Sequence, residues 1–548
     1  MNYGWRVVVQ AFRPARHAGL KPRATTALAV LAVCLSASSA FAGTRLIDAV
    51  KRGDAKAVRA LIAQHVDVNA ADTDGSTALH WAAQRDELAI ADLLIAAGAN
   101  VKAATRYKIT PLSLACTNGD AALIDRLLKA GVDPNAVSEE GQTALMTASL
   151  TGKPDAVKLL IETGADVNAV EPYKGQTALM WAASEGNAAA AEVLLAHGAD
   201  VKAKSKAGFT PLLFAVRNDH PDAAKTLLDR GANVNDVASD GTNALNMAVV
   251  NAYFDLASML IDRGANPNAS DARGSALHTL AWLRKPGADG AAAVGNVGHA
   301  PPPPSGKMTA LELAKKLLEH GANPNVRVSW KESTFGKEGG TARNPPNIQL
   351  GRHLLSYVGA TPFYVAAKNG DAVYMKLLAD HGADTGMTTK AGITPLMVAA
   401  GLDYWEGESP GPFTGVTEAE RLEAVKLAVA LGNDVNASAD FGSYPMTGDT
   451  PYTLLYYPHN IDDLLELGVG DPRWSGSTPM IGAVVSNQPS IVQWLVDHGA
   501  RVNATTKLGW TPLLVAEGVF FANAKKEFPQ AAAIIRKAMT AQGLTASR

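Results

Sequence analysis

The sequence predicts an all-α repeat solenoid: about 13 stacked helix-turn-helix units, caps included, with loop insertions in the C-terminal half. Two markers in register predict it. A Thr-Pro/Ala-Leu element recurs at Thr77-Ala78-Leu79, Thr110-Pro111-Leu112, Thr143-Ala144-Leu145, Thr177-Ala178-Leu179 and Thr210-Pro211-Leu212, spaced by 33, 33, 34 and 33 residues. Gly98, Gly131, Gly164, Gly198, Gly231 and Gly264 keep the same beat, each behind an apolar helix with pairs such as Leu93-Leu94 or Leu159-Leu160. A composition 47% hydrophobic and 19% charged is that of a folded chain, which excludes disorder throughout.

Taken in order, residues 1–42 read as a signal peptide. Arg6, Arg13, Arg16, Lys21 and Arg23, with no acid among them, precede an apolar run from Ala24 to about Leu35, and Ala40-Phe41-Ala42 has the pattern of a cleavage site. The run falls short of the about 20 residues a membrane-crossing helix needs. Cleavage after Ala42 is therefore expected, with an uncleaved anchor or lipid attachment at Cys34 as alternatives, and the long basic segment leaves open a start downstream of Met1. The expectation is export to the periplasm or the exterior, with no stable membrane insertion after cleavage. Removal would take the formal net charge from −2 to −7 and leave Cys116 as the single cysteine. No internal disulfide could then form, and Cys116, inside a repeat helix, reads as a small buried hydrophobe. A mildly acidic surface without basic runs argues against nucleic acid as a partner.

Residues 43–283 read as the regular array. Its first unit, Leu46-Ile47-Asp48-Ala49-Val50 through Asn69, lacks the Gly-x-Thr entry and carries Lys51, Arg52 and Asp54, as suits an N-terminal cap. In each later unit the threonine hydroxyl can accept an orphan backbone N–H at a helix start, and proline is tolerated next because its missing donor had no partner to lose. A short first helix follows, such as Ala78 to about Arg85. A second carries leucines at core spacing and ends at a glycine that admits the left-handed conformation. Asn and Asp in the connecting segment, as in Ala165-Asp166-Val167-Asn168-Ala169, can form local turns.

The run Gly75-Ser76-Thr77-Ala78-Leu79-His80-Trp81-Ala82-Ala83, followed by Leu93-Leu94 and Gly98-Ala99-Asn100, resembles the ankyrin repeat. The resemblance covers the chain from about Thr44 onward, with strict period to about residue 275. It implies a protein-binding scaffold without cofactor or catalytic centre, and it implies structural roles for His80 and His278.

After Leu277-His278 the period breaks. Residues 284–307, Gly/Ala/Pro-rich with Pro301 to Pro304, read as an insertion at a helix-to-helix turn, and 308–325 as the second helix of the interrupted repeat. A further insertion, 326–358, stands in place of a short finger loop and holds Trp330, Phe335, His353 and Tyr357. The stretch 359–548 reads as an irregular array. It regains register at Thr361-Pro362-Phe363 and Thr394-Pro395-Leu396, then carries an insertion at 403–417 with Tyr404, Trp405 and Phe413. An irregular stretch, 440–449, precedes a weak unit at Thr450-Pro451-Tyr452, Thr478 and Thr511 resume the beat, and a helix with Lys525, Lys526, Glu527, Arg536 and Lys537 reads as the C-terminal cap.

Catalytic and metal motifs do not emerge. There is no His-Glu-x-x-His, Cys-x-x-Cys, phosphate-cradling loop or Gly-x-Ser-x-Gly. His197, His320, His381 and His498 each precede a helix-ending glycine, where an imidazole can meet terminal carbonyls. Trp81 and Trp181 are expected to fill core. His353 with Lys331, Glu332 and Arg352 is the one cluster worth inspecting for acid–base chemistry.

The favoured function is capture of a partner protein on a concave face. If the family geometry holds, finger positions Arg106, Tyr107, Glu139, Glu140, Tyr173 and Lys206 line it, with first-helix ends Gln84, Arg85, Thr117, Asn118, Ser184, Glu185, Arg217 and Asn218. The alternative is an enzyme, or an accessory subunit of one, with the insertions between 284 and 417 as a site wall, which requires a pocket with convergent polar groups there.

Overall fold

Helix pairs follow one another along the whole described chain. The structure, a computed structural model, describes residues 44–271, 274–284, 303–328, 359–389, 392–402, 416–440, 475–507, 509–518, 520–521, 524–525 and 527–545. The expected signal peptide, the aromatics Trp330, Phe335, Tyr357, Tyr404, Trp405 and Phe413, the cluster around His353 and the weak unit at Thr450 lie outside the described residues.

The chain divides into two compact units, Met1–Val132 and Asp133–Arg548. The first holds three helix pairs: 44–51 with Ala55–Ala63, Ala78–Gln84 with Leu88–Ala96, and Pro111–Asn118 with Ala121–Lys129. The second holds nine among the described residues. Four are regular: Ala144–Thr151 with Pro154–Glu162, Ala178–Ser184 with Ala188–Ala196, Pro211–Arg217 with Pro221–Asp229, and Ala244–Val250 with Phe254–Asp262. Five belong to the decorated part: Ala276–Arg284 with Ala310–Glu319, Pro362–Lys368 with Ala372–Asp380, Pro395–Ala399 with Glu418–Ala430, Pro479–Val485 with Pro489–Asp497, and Pro512–Gly518 with Pro529–Ala541. We number these pairs as repeats one to twelve. The fold is an all-α repeat solenoid, and among the described residues the strands are two residues long, Ser270–Asp271 against Gly274–Ser275 and Phe520–Phe521 against Ala524–Lys525.

The helices begin where cap chemistry allows. Thr110 Oγ1 accepts from Ser113 N at 3.1 Å, Thr143 Oγ1 from Met146 N at 3.2 Å and Thr361 Oγ1 from Tyr364 N at 3.2 Å, each satisfying one of the amides that a helix start leaves without a partner. They end at glycines such as Gly164, whose φ of +100° no β-carbon tolerates well. Between helices, Leu79, Leu94, Leu112 and Leu127 in the first unit, and Leu145, Leu160, Leu179 and Leu194 in the second, are fully buried or nearly so.

Successive repeats are also joined by an asparagine ladder in the connecting segments. Asn168 Nδ2 donates to Gly198 O at 3.0 Å while its Oδ1 accepts from Asp200 N at 2.9 Å. Asn69, Asn135, Asn235, Asn268, Asn325 and Asn436 make the same pair of bonds to the glycine and the second residue after it in the following repeat.

The ladder gives the path of the decorated part. Asn325 reaches Gly382 and Asn436 reaches Gly499, so repeat eight stacks on nine and repeat ten on eleven. Val328 N donates to Ala360 O at 2.9 Å and Gly359 N to Val328 O at 2.8 Å, closing 329–358 at a neck. Ala439 forms the same neck with Ser477 and Gly476 around 441–474. Ser138 makes the equivalent bond to Gln142 in a regular finger, so both long segments are grafted at finger tips. Ser486 Oγ also donates to Ala400 O at 3.2 Å, so repeats ten and eleven are in direct contact, and twelve pairs stand among the described residues.

Candidate functional site

The regular fingers are tight hairpins. Single bridges pair Ala71 with Thr77, Val137 with Thr143, Val170 with Thr177 and Val237 with Asn243, and they hold the few residues at the tip away from the helices.

In the first unit, Arg106 and Tyr107 are exposed at one such tip, the ring 54% so, with the guanidinium carbon 4.8 Å from the ring centroid. Gln84, Arg85 and Thr117 are exposed at first-helix ends. Asn118 is half-buried: its Nδ2 donates to Ala83 O at 2.9 Å and Gln84 O at 3.1 Å, so it staples repeat three to repeat two. In the second unit Glu139, Glu140, Tyr173, Lys206, Glu185 and Arg217 are exposed. Asn218 Nδ2 donates to Ser184 O at 2.7 Å and Ser184 Oγ at 3.0 Å. Of the expected contact residues, then, Asn118, Asn218 and Ser184 are engaged in holding neighbouring repeats together, because an amide at the end of a first helix lies within reach of the preceding helix's unpaired carbonyls.

The finger of repeat five is one residue longer than its neighbours and is built differently. Its Glu171 is 5% exposed, and its carboxylate accepts from the amides of Tyr173 at 2.7 Å, Lys174 at 2.8 Å and Gln176 at 3.0 Å. Burial opposes the charge of Glu171, but these amides outweigh it and hold the carboxyl below the usual range. Sequence reasoning passed over Glu171, although an acid followed by proline in a lengthened finger was its signal.

The histidines hold backbone. His197, His320, His381 and His498 place Nδ1 2.7 to 2.9 Å from the carbonyl oxygen four residues earlier. His80 Nδ1 accepts from Thr77 N at 3.1 Å, and its Nε2 lies 3.0 Å from Ile109 O in the next finger. His278 repeats this with Ser275 and, at 3.2 Å, Ala360. Cys116 is buried, its thiol pushed up to about 12 by burial. The expectation of core tryptophans needs correction. Trp81 and Trp181 are half-buried, one helix position before the fully buried Ala82 and Ala182, and Lys51 Nζ lies 4.2 Å over the Trp81 ring.

Among the described residues between 284 and 417, one set of polar groups converges and holds helices together. Arg284 Nε and Nη2 donate to Asp371 Oδ2 at 2.8 Å and Oδ1 at 3.2 Å, Asp371 caps Tyr374 N at 3.1 Å, and Tyr374 OH donates to Leu277 O at 2.9 Å. An open groove of about 630 Å³ between the second helices of repeats eight to ten is lined by Leu311, Val373, Leu377 and Leu427, with the ion pairs Lys376–Asp380 and Glu423–Lys426 at its edge. Among the described residues no group of three or more His, Cys, Asp or Glu could hold a metal ion, and no helix is long and apolar enough to cross a membrane.

A stack of helix pairs with a repeated core and variable finger tips defines a repeat scaffold. Family models for ankyrin repeats in three copies match residues 46–138, 112–205 and 200–271, and a model for the single ankyrin repeat matches 475–507. The ankyrin repeat protein YahD of Escherichia coli K12 is 32% identical over 178 residues, an alignment that takes in 28% of this chain and 87% of that protein. The chain belongs to the ankyrin-repeat family, whose repeats generally mediate protein–protein interaction.

Proposed function

We propose that the chain is an exported scaffold that holds a partner protein through its finger tips and the exposed ends of its first helices. The observation that carries this is the contrast between a constant core and varied tips. Leucines repeat at zero exposure from repeat to repeat, while exposed tip chemistry runs from Arg106 and Tyr107 to Glu139 and Glu140, Tyr173, and Lys206. Loops on a rigid support are where recognition is placed at least structural cost. Asn118, Ser184 and Asn218 are left out of the contact set because their bonds hold repeats together.

The test is capture of partners from native envelope and secreted fractions by the tagged chain from Gly43 onward. Beside it run two variants, Arg106→Ala/Tyr107→Ala and Glu139→Ala/Tyr173→Ala/Arg217→Ala. One stoichiometric protein, lost from either variant at unchanged melting temperature, is expected. A full set of fractions yielding no partner would overturn the reading. Export is checked separately by the mass of the N-terminal peptide from the native protein, which should begin at Gly43.

A further inference from the structure

We infer that Tyr173 is the anchor of the partner interface and that Glu171 is its positioning residue, an inference that rests on the binding reading above.

Tyr173 is 72% exposed, the most exposed of the large hydrophobic side chains described. A ring held out in water presents its whole area to a partner, and tyrosine is among the residues that dominate interface energies because it offers much area at little rotational entropy. Its backbone is held from three directions. From within, Glu171 takes the amides of Tyr173, Lys174 and Gln176. From the finger of repeat four, the Pro172 ring lies against Gly141, where an added β-carbon would stand 2.3 Å from Pro172 Cδ. From the finger of repeat six, Lys206 N donates to Lys174 O at 2.8 Å and Lys206 Nζ donates to Pro172 O. The loop is therefore already ordered, and binding need not supply the entropy of ordering it.

The surroundings describe the partner. Finger four offers the exposed Glu139 and Glu140 on one side of Tyr173, and fingers five and six offer the exposed Lys174 and Lys204 on the other. Val137 and Val170, at matching positions of fingers four and five, are 56% and 58% exposed. The complement is a folded protein surface with an apolar pocket that admits a phenol ring, basic groups on the side facing finger four and acidic groups on the side facing finger six.

The full chain carrying the photo-crosslinker p-benzoylphenylalanine in place of Tyr173, of Arg217 or of Asp240, the last exposed at the finger tip of repeat seven, is expressed in its own cells and irradiated. A discrete adduct from position 173 is expected, and Glu139→Lys/Glu140→Lys in the same chain should lower its yield at least about fivefold. In parallel, Glu171→Gln should speed hydrogen exchange of the Tyr173 and Lys174 amides about tenfold while the helices of repeats four and six keep their protection. Adducts from Arg217 or Asp240 with none from 173 would overturn the anchor and leave the scaffold reading standing. No adduct from any of the three would overturn both, and unchanged exchange in Glu171→Gln would overturn the positioning role.

Discussion

His278 works as a neutral imidazole. Its Nδ1 accepts from Ser275 N at 3.2 Å and its Nε2 faces Ala360 O at 3.2 Å, so the proton belongs on Nε2, and a second proton on Nδ1 would confront an N–H donor. Burial first, opposed by the Ala360 carbonyl, pulls the group down from 6.5 to about 4. Because the folded state resists protonation and the unfolded state does not, the stability His278 contributes is complete above pH 6.5. It is lost progressively as pH falls toward about 4, by about 3 kcal/mol. Melting followed from pH 7.5 to 4 should show this slope in the native chain and lose it in His278→Gln; equal slopes would refute the assignment. Asn168 offers a second residue-level test: Asn168→Ala removes two bonds at the surface and should cost about 1 kcal/mol, read as faster amide exchange at Asp200. The roles of His197, His320, His381 and His498 could be read from sequence because they stand beside a helix-ending glycine, where few roles are open, whereas those of His80 and His278 followed only from the resemblance to the ankyrin repeat. The asparagine ladder could not, because asparagine in a loop also makes ordinary turns, and only the bond to the next repeat distinguishes the two.

A helix pair of this family cannot bury its own apolar face, so each depends on its neighbours. Leu160 lies fully buried in the second helix of repeat four, and Leu160→Ala should cost about 2–5 kcal/mol. Exchange protection should fall first in Ala144–Glu162 and the repeat that follows, and uniform loss along the chain would contradict local coupling. The necks bear on tolerance of change. Since Val328 with Gly359 and Ala360 reproduces the closure of a regular finger, replacing 329–359 with the Glu-Glu-Gly of 139–141 should leave repeats eight and nine stacked, lengthening a loop being cheap. A melting temperature within a few degrees of the native one is the expected outcome, and collapse of protection in Pro362–Lys368 would show that the insertion supports its neighbours. The finger site of this insertion was legible from the lost beat between Gly321 and Thr361. The neck was not, because it consists of backbone bonds that any residue can make.

Regular repeats are held by a recurring set of contacts, and the decorated repeats keep the asparagine ladder and add contacts of their own. Repeats eight and nine share the Arg284–Asp371 pair, in which Asp371 is 1% and Arg284 17% exposed, and Asn369 Nδ2 donates to Ala281 O at 3.1 Å. Repeats nine and ten share Arg421, buried, with Nη1 donating to Lys368 O, Val398 O and Ala399 O at 3.2 to 3.4 Å. Arg284 and Asn369 sit at first-helix ends, where the regular repeats keep exposed side chains such as Glu185 and Arg217, whereas Asp371 caps a second helix and Arg421 lies within one, so the 33-residue pattern announced the stack but said nothing of what joins these members. The meeting of repeats ten and eleven, made by Asn436 and its partner Gly499, was likewise not legible, because the two residues lie 63 apart in sequence rather than near one repeat length. Junctions of differing chemistry should fail separately. Asp371→Ala leaves the Arg284 guanidinium without its carboxylate in a largely buried place and removes the cap of Ala372–Asp380, a loss of about 3–5 kcal/mol. In a nearest-neighbour solenoid that loss stays local: denaturant unfolding should become biphasic, with protection vanishing first in Ala276–Arg284 and Pro362–Asp380 and persisting in Ala144–Ala196. One coincident transition by every probe would mean that the second unit folds as a single cooperative body despite its repeats.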